Sequence, residues 1–419
     1  MAPVKVLVIG SGAREHALCL ALSRDPDVTA VGCAPGNAGT RLVAEPLAVD
    51  PMDGEAVARL AAEWGAGLVV VGPEAPLVAG VADAVRARGI ACFGPSAPAA
   101  QLEGSKAFAK DVMATAGVPT AMARVCETPD EAADALDQFG PPYVVKDDGL
   151  AAGKGVVVTS DRDEALAHAA ACQRVVIEEY LDGPEVSLFA VTDGVTVVPL
   201  QPAQDFKRVG DGDSGPNTGG MGAYSPLPWA PPGLVDDVLA RVLQPTVDEM
   251  ARRGTPFAGL LYAGLALTSR GLKVIEFNAR FGDPETQVVL ARLETPLGWL
   301  LHAAATGTLE RVEDLRWSDE CAVTVVVAAE GYPAAPVTGD PIEGAVADGV
   351  LHAGTALAED GSIVSAGGRV LSVVGLGATL EDARADAYAR VAAIGLRGAH
   401  HRTDIALAAA RGEVRLPTA

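Results

Sequence analysis

Aromatic residues are scarce in this sequence. Phe, Tyr and Trp make up 4% of its 419 residues, although 49% of the residues are hydrophobic. The interior must therefore be built mainly from Val, Leu, Ile and Ala, a usage typical of alternating β/α architecture. With about 100 to 200 residues per domain, the length predicts roughly two to four domains.

Positive charge is also in short supply. The chain has 32 Lys and Arg residues against 54 Asp and Glu residues, for a formal net charge of −22. The mean field repels phosphate backbones, which argues against nucleic-acid and anionic-membrane partners. The six cysteines form no CxxC pair. We therefore expect buried free thiols rather than disulfides or a zinc site.

Long apolar runs are absent as well. No run reaches the length of a membrane span, and the first residues lack the charged and apolar regions of a signal peptide. We expect a soluble cytoplasmic protein.

A glycine turn follows the first predicted strand. Residues 4–9 are apolar enough for a buried strand, and Gly10 and Gly12 then open a helix where backbone amides can approach a phosphate. Glu15 replaces the third glycine of a GxGxxG sequence. This replacement weakens the interpretation of the turn as a dinucleotide site.

Two further turns follow later strands of the same predicted sheet. They carry Asn37 and Gly39 in GNAGT, and Glu74 in GPEAPL. Ligands of open α/β sheets bind at the carboxyl ends of the strands, so we expect these residues to line one crevice with the Gly10 turn. Each turn taken alone is also compatible with an ordinary connection.

A glycine-rich loop, DDGLAAGKG, joins two predicted strands at residues 147–155. It is not a Walker A sequence, because it lacks the required spacing and the Ser or Thr and leads into a strand. With Lys146 at its base and Lys154 within it, the loop could fold over a triphosphate as a lid. A simple β-hairpin is the alternative.

The stretch KVIEFNARFGDPET at residues 273–286 combines a strand with several polar groups. Strand alternation places Glu276, Asn278 and Arg280 on one face, with Ile275 and Phe277 on the other. Two oxygen ligands at this spacing suit Mg²⁺, whose coordination is completed by water and substrate phosphates. An amphipathic edge strand with solvated charges is the alternative.

Two other segments are rich in polar residues. The linker after RVVI holds Glu178, Glu179 and Glu185, which could bind adenine and ribose or could form a solvated acidic turn. Residues 204–232 have too few apolar residues for an element, and we expect a long functional loop there. Its first residues could hold an anionic substrate; they include Asp205, Lys207 and Arg208.

Several of these motifs occur together in one known family. The set GSGAREHAL, APGNAGT, KDDGLAAGKG, GPNTGGMGAYSP and EFNARFGDPETQ resembles the phosphoribosylamine–glycine ligase family of ATP-grasp enzymes, from residue 4 to HRTDIA near the end. The resemblance implies an α/β and α+β multidomain fold. Its parts would be a pre-ATP-grasp Rossmann-like domain at 1–102, an ATP-grasp domain at 103–316 with a lid at about 120–190, and a small barrel-like domain at 317–419.

The resemblance also implies a reaction of purine synthesis. ATP, glycine and 5-phosphoribosylamine would give ADP, phosphate and glycinamide ribonucleotide through glycyl phosphate. The cofactor would be Mg²⁺ or Mn²⁺, with ATP as co-substrate. Separately from the resemblance, we expect the protein to be a monomer.

Roles carry over from the resemblance position by position. The metal ligands would be Glu276 and Asn278, and the catalytic residues would be Arg280 and Lys146. The ATP-binding residues would be Lys106, Lys146, Gly153, Lys154, Gly155, Glu178, Glu179, Tyr180, Leu181 and Glu185. The residues that bind the other substrates would be Gly10, Gly12, Asn37, Gly39, Glu74, Asp205, Lys207, Arg208, Arg280 and Asp283.

Three positions depart from the family pattern: Asp147, Phe206 and Ala279 stand where Ala, His and Cys are common. The segment between the lid loop and VVIEEY also lacks a Gly-Phe-rich insertion. Three alternative functions remain, namely a dehydrogenase, an ATP-grasp ligase with another acid or amine, and a nucleotide-binding module without catalysis.

Overall fold

The N-terminal part of the chain forms a parallel sheet covered by helices. A computed structural model describes residues 3–150 and 155–418. The first strands are β1 (Val4–Gly10), β2 (Val28–Pro35), β3 (Glu45–Pro46), β4 (Leu68–Val71) and β5 (Ala91–Phe93). The helices are α1 (Ala13–Ser23), α2 (Gly54–Trp64), α3 (Glu74–Val78), α4 (Val81–Ala87) and α5 (Ala97–Gly104), with a 3₁₀ turn at Thr40–Leu42. The strand order β3-β2-β1-β4-β5 confirms the predicted Rossmann-like first domain.

A second, smaller sheet follows. Its strands are β6 (Ala123–Cys126), β7 (Tyr143–Asp147), β8 (Val156–Thr159) and β9 (Val175–Glu178), and the accompanying helices are α6 (Lys106–Ala116), α7 (Pro129–Phe139) and α8 (Arg162–Ala171). The strands pair antiparallel in the order β6-β9-β7-β8. Leu136, Val145 and Ile177 belong to a hydrophobic cluster separate from the two larger cores. The predicted lid therefore has a core of its own.

The next strands are divided among three sheets, one of which has only two strands. They are β10 (Glu185–Asp193), β11 (Val197–Pro199), β12 (Gln204–Asp205), β13 (Arg208–Gly210), β14 (Ser214–Asn217), β15 (Gly222–Ser225), β16 (Ala258–Thr268) and β17 (Gly271–Asn278). One antiparallel sheet has the order β11-β10-β16-β17, and the predicted hairpin of β16 and β17 is at its edge. The expected lid range of about 120–190 thus includes part of β10, which pairs with β16 outside the lid sheet.

Helices cover this part of the chain. They are α9 (Leu234–Val238), a π turn at Leu239–Leu243, α10 (Gln244–Arg252), α11 (Glu285–Arg292) and α12 (Leu297–Ala305), with a 3₁₀ turn at Leu309–Arg311.

Three of the C-terminal strands complete the remaining large sheet. The C-terminal elements are β18 (Cys321–Ala328), β19 (Val350–His352), β20 (Thr355–Leu357), β21 (Ile363–Ser365), β22 (Arg369–Gly377), α13 (Leu380–Val391) and α14 (Leu407–Ala410). The sheet order is β12-β15-β18-β22-β19, and β20 and β21 form a separate two-stranded sheet. The described residues form this open sheet and no closed barrel, so the barrel-like description is corrected to an open α+β sheet.

The prediction of a structureless loop at 204–232 was wrong. The segment contains β12 to β15 and a 3₁₀ turn at Asp211–Asp213. All four residues of β15 are buried, and β15 pairs with β18 about a hundred residues later. Because β15 has the sequence GAYS, its own composition gave no strand signal, and its pairing partner lies in another part of the chain.

A β-bulge changes the expected alternation in β17. Glu276 pairs with Gly264 and Val274 pairs with Leu265, so Ile275 is an extra residue in the strand. Ile275 is half-buried, whereas Val274 and Phe277 are buried. The expectation that Ile275 shares the core face with Phe277 was therefore wrong.

Within the described residues, no helix combines the length and the apolar character needed to cross a bilayer.

Two buried histidines join the first domain to the C-terminal sheet. The backbone N–H of His352 donates to Nδ1 of His16 at 2.9 Å, so His16 must be neutral at that nitrogen. Burial, with the neighbouring His352 as a lesser cause, lowers the pKa of His16 to about 3. A histidine whose folded pKa lies below the unfolded value stabilises the protein above pH 6.5, and this stability is lost as the pH falls toward 3.

We predict that His16→Asn will flatten the dependence of stability on pH, because Asn offers an oxygen near the position of Nδ1 and does not titrate. Between pH 6.5 and 5, the wild type should lose about 2 kcal/mol more than the variant, at about 1.4 kcal/mol per pH unit. Urea unfolding at several pH values measures this difference. His401→Asn, at an exposed position, is the control, and parallel curves for wild type and His16→Asn would refute the prediction.

Candidate active site

Three predicted turns meet at one edge of the parallel sheet. Strands β1, β2 and β4 are adjacent and parallel, so the segments after Gly10, Pro35 and Val71 leave the sheet on the same side. Asn37 and Glu74 follow directly on this edge. The structure therefore brings the three turns together.

The glycine turn itself is filled by a side chain. The amide of Gly12 donates to Oε2 of Glu15 at 2.5 Å, and Nε of Arg14 contacts Oε1 at 2.6 Å. A Cβ on Gly10, whose φ is +132°, would lie 2.6 Å from the carboxyl carbon of Glu15. The Gly12 amide is thus already engaged by Glu15 and is not free to bind the phosphate of a dinucleotide.

The Asn37 turn is held by bonds within the protein. Its Nδ2 donates to the carbonyls of Ser11 at 2.9 Å and His352 at 2.8 Å, and its Oδ1 accepts the amides of Gly39 and Thr40, each at 2.9 Å. A Cβ on Gly39 would lie 2.3 Å from the His352 ring. Both residues therefore shape the turn and fix it against the C-terminal sheet.

A cavity of about 370 Å³ lies between this turn and the C-terminal domain. Its lining residues are Ser11, Gly12, Gly36, Asn37, Asp283, Tyr332, Ala353, Gly354, Thr355, Ala366 and Arg369. Nη2 of Arg369 lies 3.2 Å from Oδ2 of Asp283. The sequence interpretation missed Arg369 and Tyr332, because nothing near them in the chain indicates that their domain reaches this crevice.

Arg280 lies between two carboxylates. Its Nε is 3.1 Å from Glu74, and its Nη2 is 3.0 Å from Glu103 and 3.4 Å from Oδ1 of Asn278. Glu103 was not predicted; it also accepts the amide of Ala279 at 2.7 Å.

The two carboxylates differ in pKa. Burial raises the pKa of Glu103, more than Arg280 lowers it. Burial also acts to raise the pKa of Glu74, but the charges of Arg280 and Arg14 outweigh it, and the pKa is lowered. Glu74 is therefore the partner that stays ionised most readily.

The strand β17 presents two oxygen-bearing side chains on one face. Glu276 and Asn278 are two positions apart beyond the bulge, opposite Gly264 and Tyr262 of β16. Burial would raise the pKa of Glu276, yet nearby cations, Lys207 and Lys146 foremost, lower it. The Glu276 carboxylate makes no ion pair or hydrogen bond with any described residue. An ionised, uncommitted carboxylate beside an amide oxygen fits a divalent cation completed by phosphates.

Three lysines lie near the base of the predicted lid. Nζ of Lys146 lies 3.0 Å from Glu178 and donates to the carbonyl of Ile275 at 3.0 Å. Nζ of Lys110 contacts the other oxygen of Glu178 at 3.1 Å, and burial lowers the pKa of Lys110. Lys110 was missed because it lies four residues after Lys106 and has the appearance of a helix-surface lysine.

The loop between β7 and β8 is anchored at its start. Nζ of Lys106 donates to the carbonyl of Gly149 at 2.9 Å. Asp148 accepts the amide of Ala107 at 3.0 Å and forms an ion pair with Arg174. The carbonyl of Gly155 accepts the amide of Asp147 at 2.7 Å. The predicted ATP residues Gly153 and Lys154 lie outside the described part of the chain.

In the segment after β9, the Glu179 side chain is bound by other parts of the protein. Oε1 of Glu179 accepts the amide of Met122 at 3.0 Å, and Oε2 is 2.9 Å from Arg270. Tyr180 is 48% exposed, and Leu181 is half-buried. Contact with a base would therefore involve mainly backbone groups here.

Lys207 connects the acidic residues of the site. It forms an ion pair with Glu185. Burial would lower its pKa, but Glu185, Asp205 and Glu276 raise it well above the usual value. Burial raises the pKa of Asp205. Arg208, by contrast, donates to the carbonyl of Gly215 within its own hairpin at 2.8 Å.

The family models that match this chain include all the residues of the site described above. Three family models match: phosphoribosylglycinamide synthetase N domain at residues 4–103, its ATP-grasp (A) domain at 104–286 and its C domain at 322–408.

Full-length relatives agree with these models. A phosphoribosylamine–glycine ligase of Streptomyces coelicolor is 72% identical over 415 residues, covering 97% of this chain and 100% of the relative. One of Mycobacterium tuberculosis is 61% identical, covering 98% and 100%. The crystal structure of the Thermotoga maritima phosphoribosylamine–glycine ligase has a TM-score of 0.85 at 34% identity, covering 96% and 100%. With this agreement along its length, the chain belongs to the phosphoribosylglycinamide synthetase (phosphoribosylamine–glycine ligase) family.

Proposed function

We propose that this protein is the ATP-dependent ligase that joins glycine to 5-phosphoribosylamine. The observation that carries the proposal is the meeting of Glu276 and Asn278 with Lys146 and Lys207 at the base of a lid, within a chain of this family. Such a site gathers oxygen ligands for a cation and positive charge for phosphates, which phosphoryl transfer requires.

ATP would lie between the lid sheet and the sheet that contains β17. Lys106 and Lys146 would hold its phosphates, and Gly153, Lys154 and Gly155 would cover them. Backbone groups of residues 178–181 would face adenine, and Glu185 would face the ribose. The separate core of the lid supports its movement as a unit.

A divalent cation, Mg²⁺ or Mn²⁺, held by Glu276 and Asn278 would neutralise charge that develops on the phosphates. The lowered pKa of Glu276 supports this role, because the carboxylate is ready to bind a cation without first losing a proton.

The reaction would take place in two displacements. A carboxylate oxygen of glycine attacks the γ-phosphorus and ADP departs, which gives glycyl phosphate. The amine nitrogen of phosphoribosylamine then attacks the carbonyl carbon, phosphate leaves, and the nitrogen gives up a proton. Arg280 and Lys146 would stabilise the negative charge that gathers in both steps.

Phosphoribosylamine would occupy the crevice at the edge of the parallel sheet. Asn37 and Gly39 would shape its wall, and the Gly10 and Gly12 turn would form its floor. Glu74, Asp205, Lys207 and Asp283 would surround the amine and the sugar. The cavity lined by Arg369 offers a cation and hydroxyl groups for the 5-phosphate.

Domain limits at 1–102, 103–316 and 317–419 remain our proposal, as do a monomeric state and a cytoplasmic location. The ranges matched by the family models support these limits.

Phosphate release from Mg-ATP tests the function. We expect release to need both glycine and freshly generated phosphoribosylamine, with glycinamide ribonucleotide detected by mass spectrometry when both are present. Release driven by a different carboxylic acid would move the protein to another ligase activity, and absence of ATP turnover under every combination would refute the proposal.

Glu276→Gln tests the cation site. Because one charged ligand is lost, we expect turnover at fixed Mg²⁺ to fall by a factor of about a hundred, with partial recovery at high Mg²⁺ and an unchanged melting temperature. Glu313→Gln, at an exposed position, is the control. Unchanged turnover and Mg²⁺ dependence in Glu276→Gln would show that the cation binds elsewhere.

A further inference from the structure

Glu285, the first residue of α11, is a buried carboxylate within the site. It is 3% exposed. Its Oε1 accepts hydrogen bonds from the hydroxyls of Tyr262 at 2.5 Å and Ser187 at 3.2 Å. Its Oε2 accepts no hydrogen bond from the described residues, and no Lys, Arg or His among them lies within ion-pair distance. A buried carboxylate without a cationic partner is costly, so its position calls for an explanation.

The strand register places this carboxylate on the same sheet face as the proposed cation site. Across the sheet, Ser187 pairs with Gly264, which pairs with Glu276, and Tyr262 pairs with Asn278. Directly paired residues share a face, and neighbouring strands are about 5 Å apart. Both hydroxyls that hold Glu285 therefore belong to the rows of residues that end at Glu276 and Asn278.

Gly264 leaves space within these rows. A Cβ there would already lie 3.5 Å from Cγ of Glu276. Gly264 therefore places no side chain between Ser187 and Glu276 on this face.

The nearby protein cations are committed to other carboxylates. Arg280 is engaged by Glu74 and Glu103, and Lys207 is paired with Glu185. The charge missing beside Glu285 can therefore come from a bound substrate.

Burial, together with the charge of Glu285, holds the pKa of Tyr262 well above its usual value. Tyr262 thus remains a neutral hydrogen-bond donor to Glu285.

We propose that Glu285 binds the α-ammonium group of glycine, with Oε2 as the acceptor. This inference rests on the proposed function. Of the two amine-bearing substrates, phosphoribosylamine must keep its nitrogen lone pair free for attack, so the ammonium to be bound is that of glycine. A small amino acid held there by its ammonium would direct its carboxylate toward Glu276 and Asn278, where the γ-phosphate is expected.

Comparison of glycine with glycolate in the full-length enzyme tests the proposal, because glycolate replaces the ammonium with a hydroxyl. Glu285→Gln keeps an oxygen that can accept from Tyr262 and Ser187 but removes the charge. We expect the KM for glycine to rise about a hundredfold in this variant, with the KM values for glycolate and ATP unchanged. The preference for glycine over glycolate should fall by the same factor.

The control is Glu294→Gln, an exposed carboxylate just beyond α11, for which both KM values should equal those of the wild type. An unchanged KM for glycine in Glu285→Gln, or equal increases for glycine and glycolate, would overturn the proposal. If Glu285→Gln does not fold, Glu285→Asp replaces it. The shortened carboxylate should raise the KM for glycine about tenfold and leave glycolate unaffected, and parallel changes would again overturn the proposal.

Failure of the proposed function can be distinguished from failure of the Glu285 assignment. It would appear as absence of glycine-dependent phosphate release in the wild type, whereas failure of the Glu285 assignment alone would leave that release intact.

Discussion

The site depends on the half-buried guanidinium of Arg280. Its contacts with Glu74 and Glu103 join the first domain to the end of β17, because Glu74 follows β4 and Glu103 lies in α5. Glu103 also accepts the amide of Ala279, so the same carboxylate fixes both the side chain and the backbone of this segment. Removing one partner from a fully buried network costs about 3 to 5 kcal/mol, and the partial exposure of Arg280 and Glu74 makes the cost smaller here.

Ile275, the extra residue of the bulge in β17, contacts the lid. Its carbonyl accepts from Lys146, a residue of the lid sheet, and Lys146 and Lys110 share the carboxylate of Glu178. These contacts join the strand that carries Glu276 to the base of the lid.

Much of the fold was predictable because the signals are local. The apolar strand VKVLVI, the glycine turns and the hairpin that ends at Asn278 all carry their information within a few residues, and the structure confirms each of them. What failed depends on distant parts of the chain. The strand GAYS is formed through pairing with β18, and the extra residue in β17 appears only in register with β16.

In the site, too, the features that depend on local sequence were predictable, and those that depend on distant residues were not. The predicted turns meet at one sheet edge because the carboxyl ends of neighbouring parallel strands lie at the same edge. Glu276 and Asn278 share one face of β17 because side chains alternate along a strand. Sequence spacing could not indicate that the Glu15 carboxylate would take the Gly12 amide, or that Arg369 would reach Asp283 from another domain. Glu285 was missed for a different reason: at the start of a helix it has the appearance of an ordinary residue of the first turn, and only its burial distinguishes it.

The most direct measurement follows the oxygen atoms of glycine. With both carboxylate oxygens of glycine labelled with ¹⁸O, the inorganic phosphate formed by the enzyme is analysed by mass spectrometry. Our account predicts one ¹⁸O atom in phosphate for each glycinamide ribonucleotide formed, because a carboxylate oxygen bonds to the γ-phosphorus and stays there when the acyl C–O bond breaks. Unlabelled phosphate alongside normal product formation would contradict an acyl phosphate intermediate.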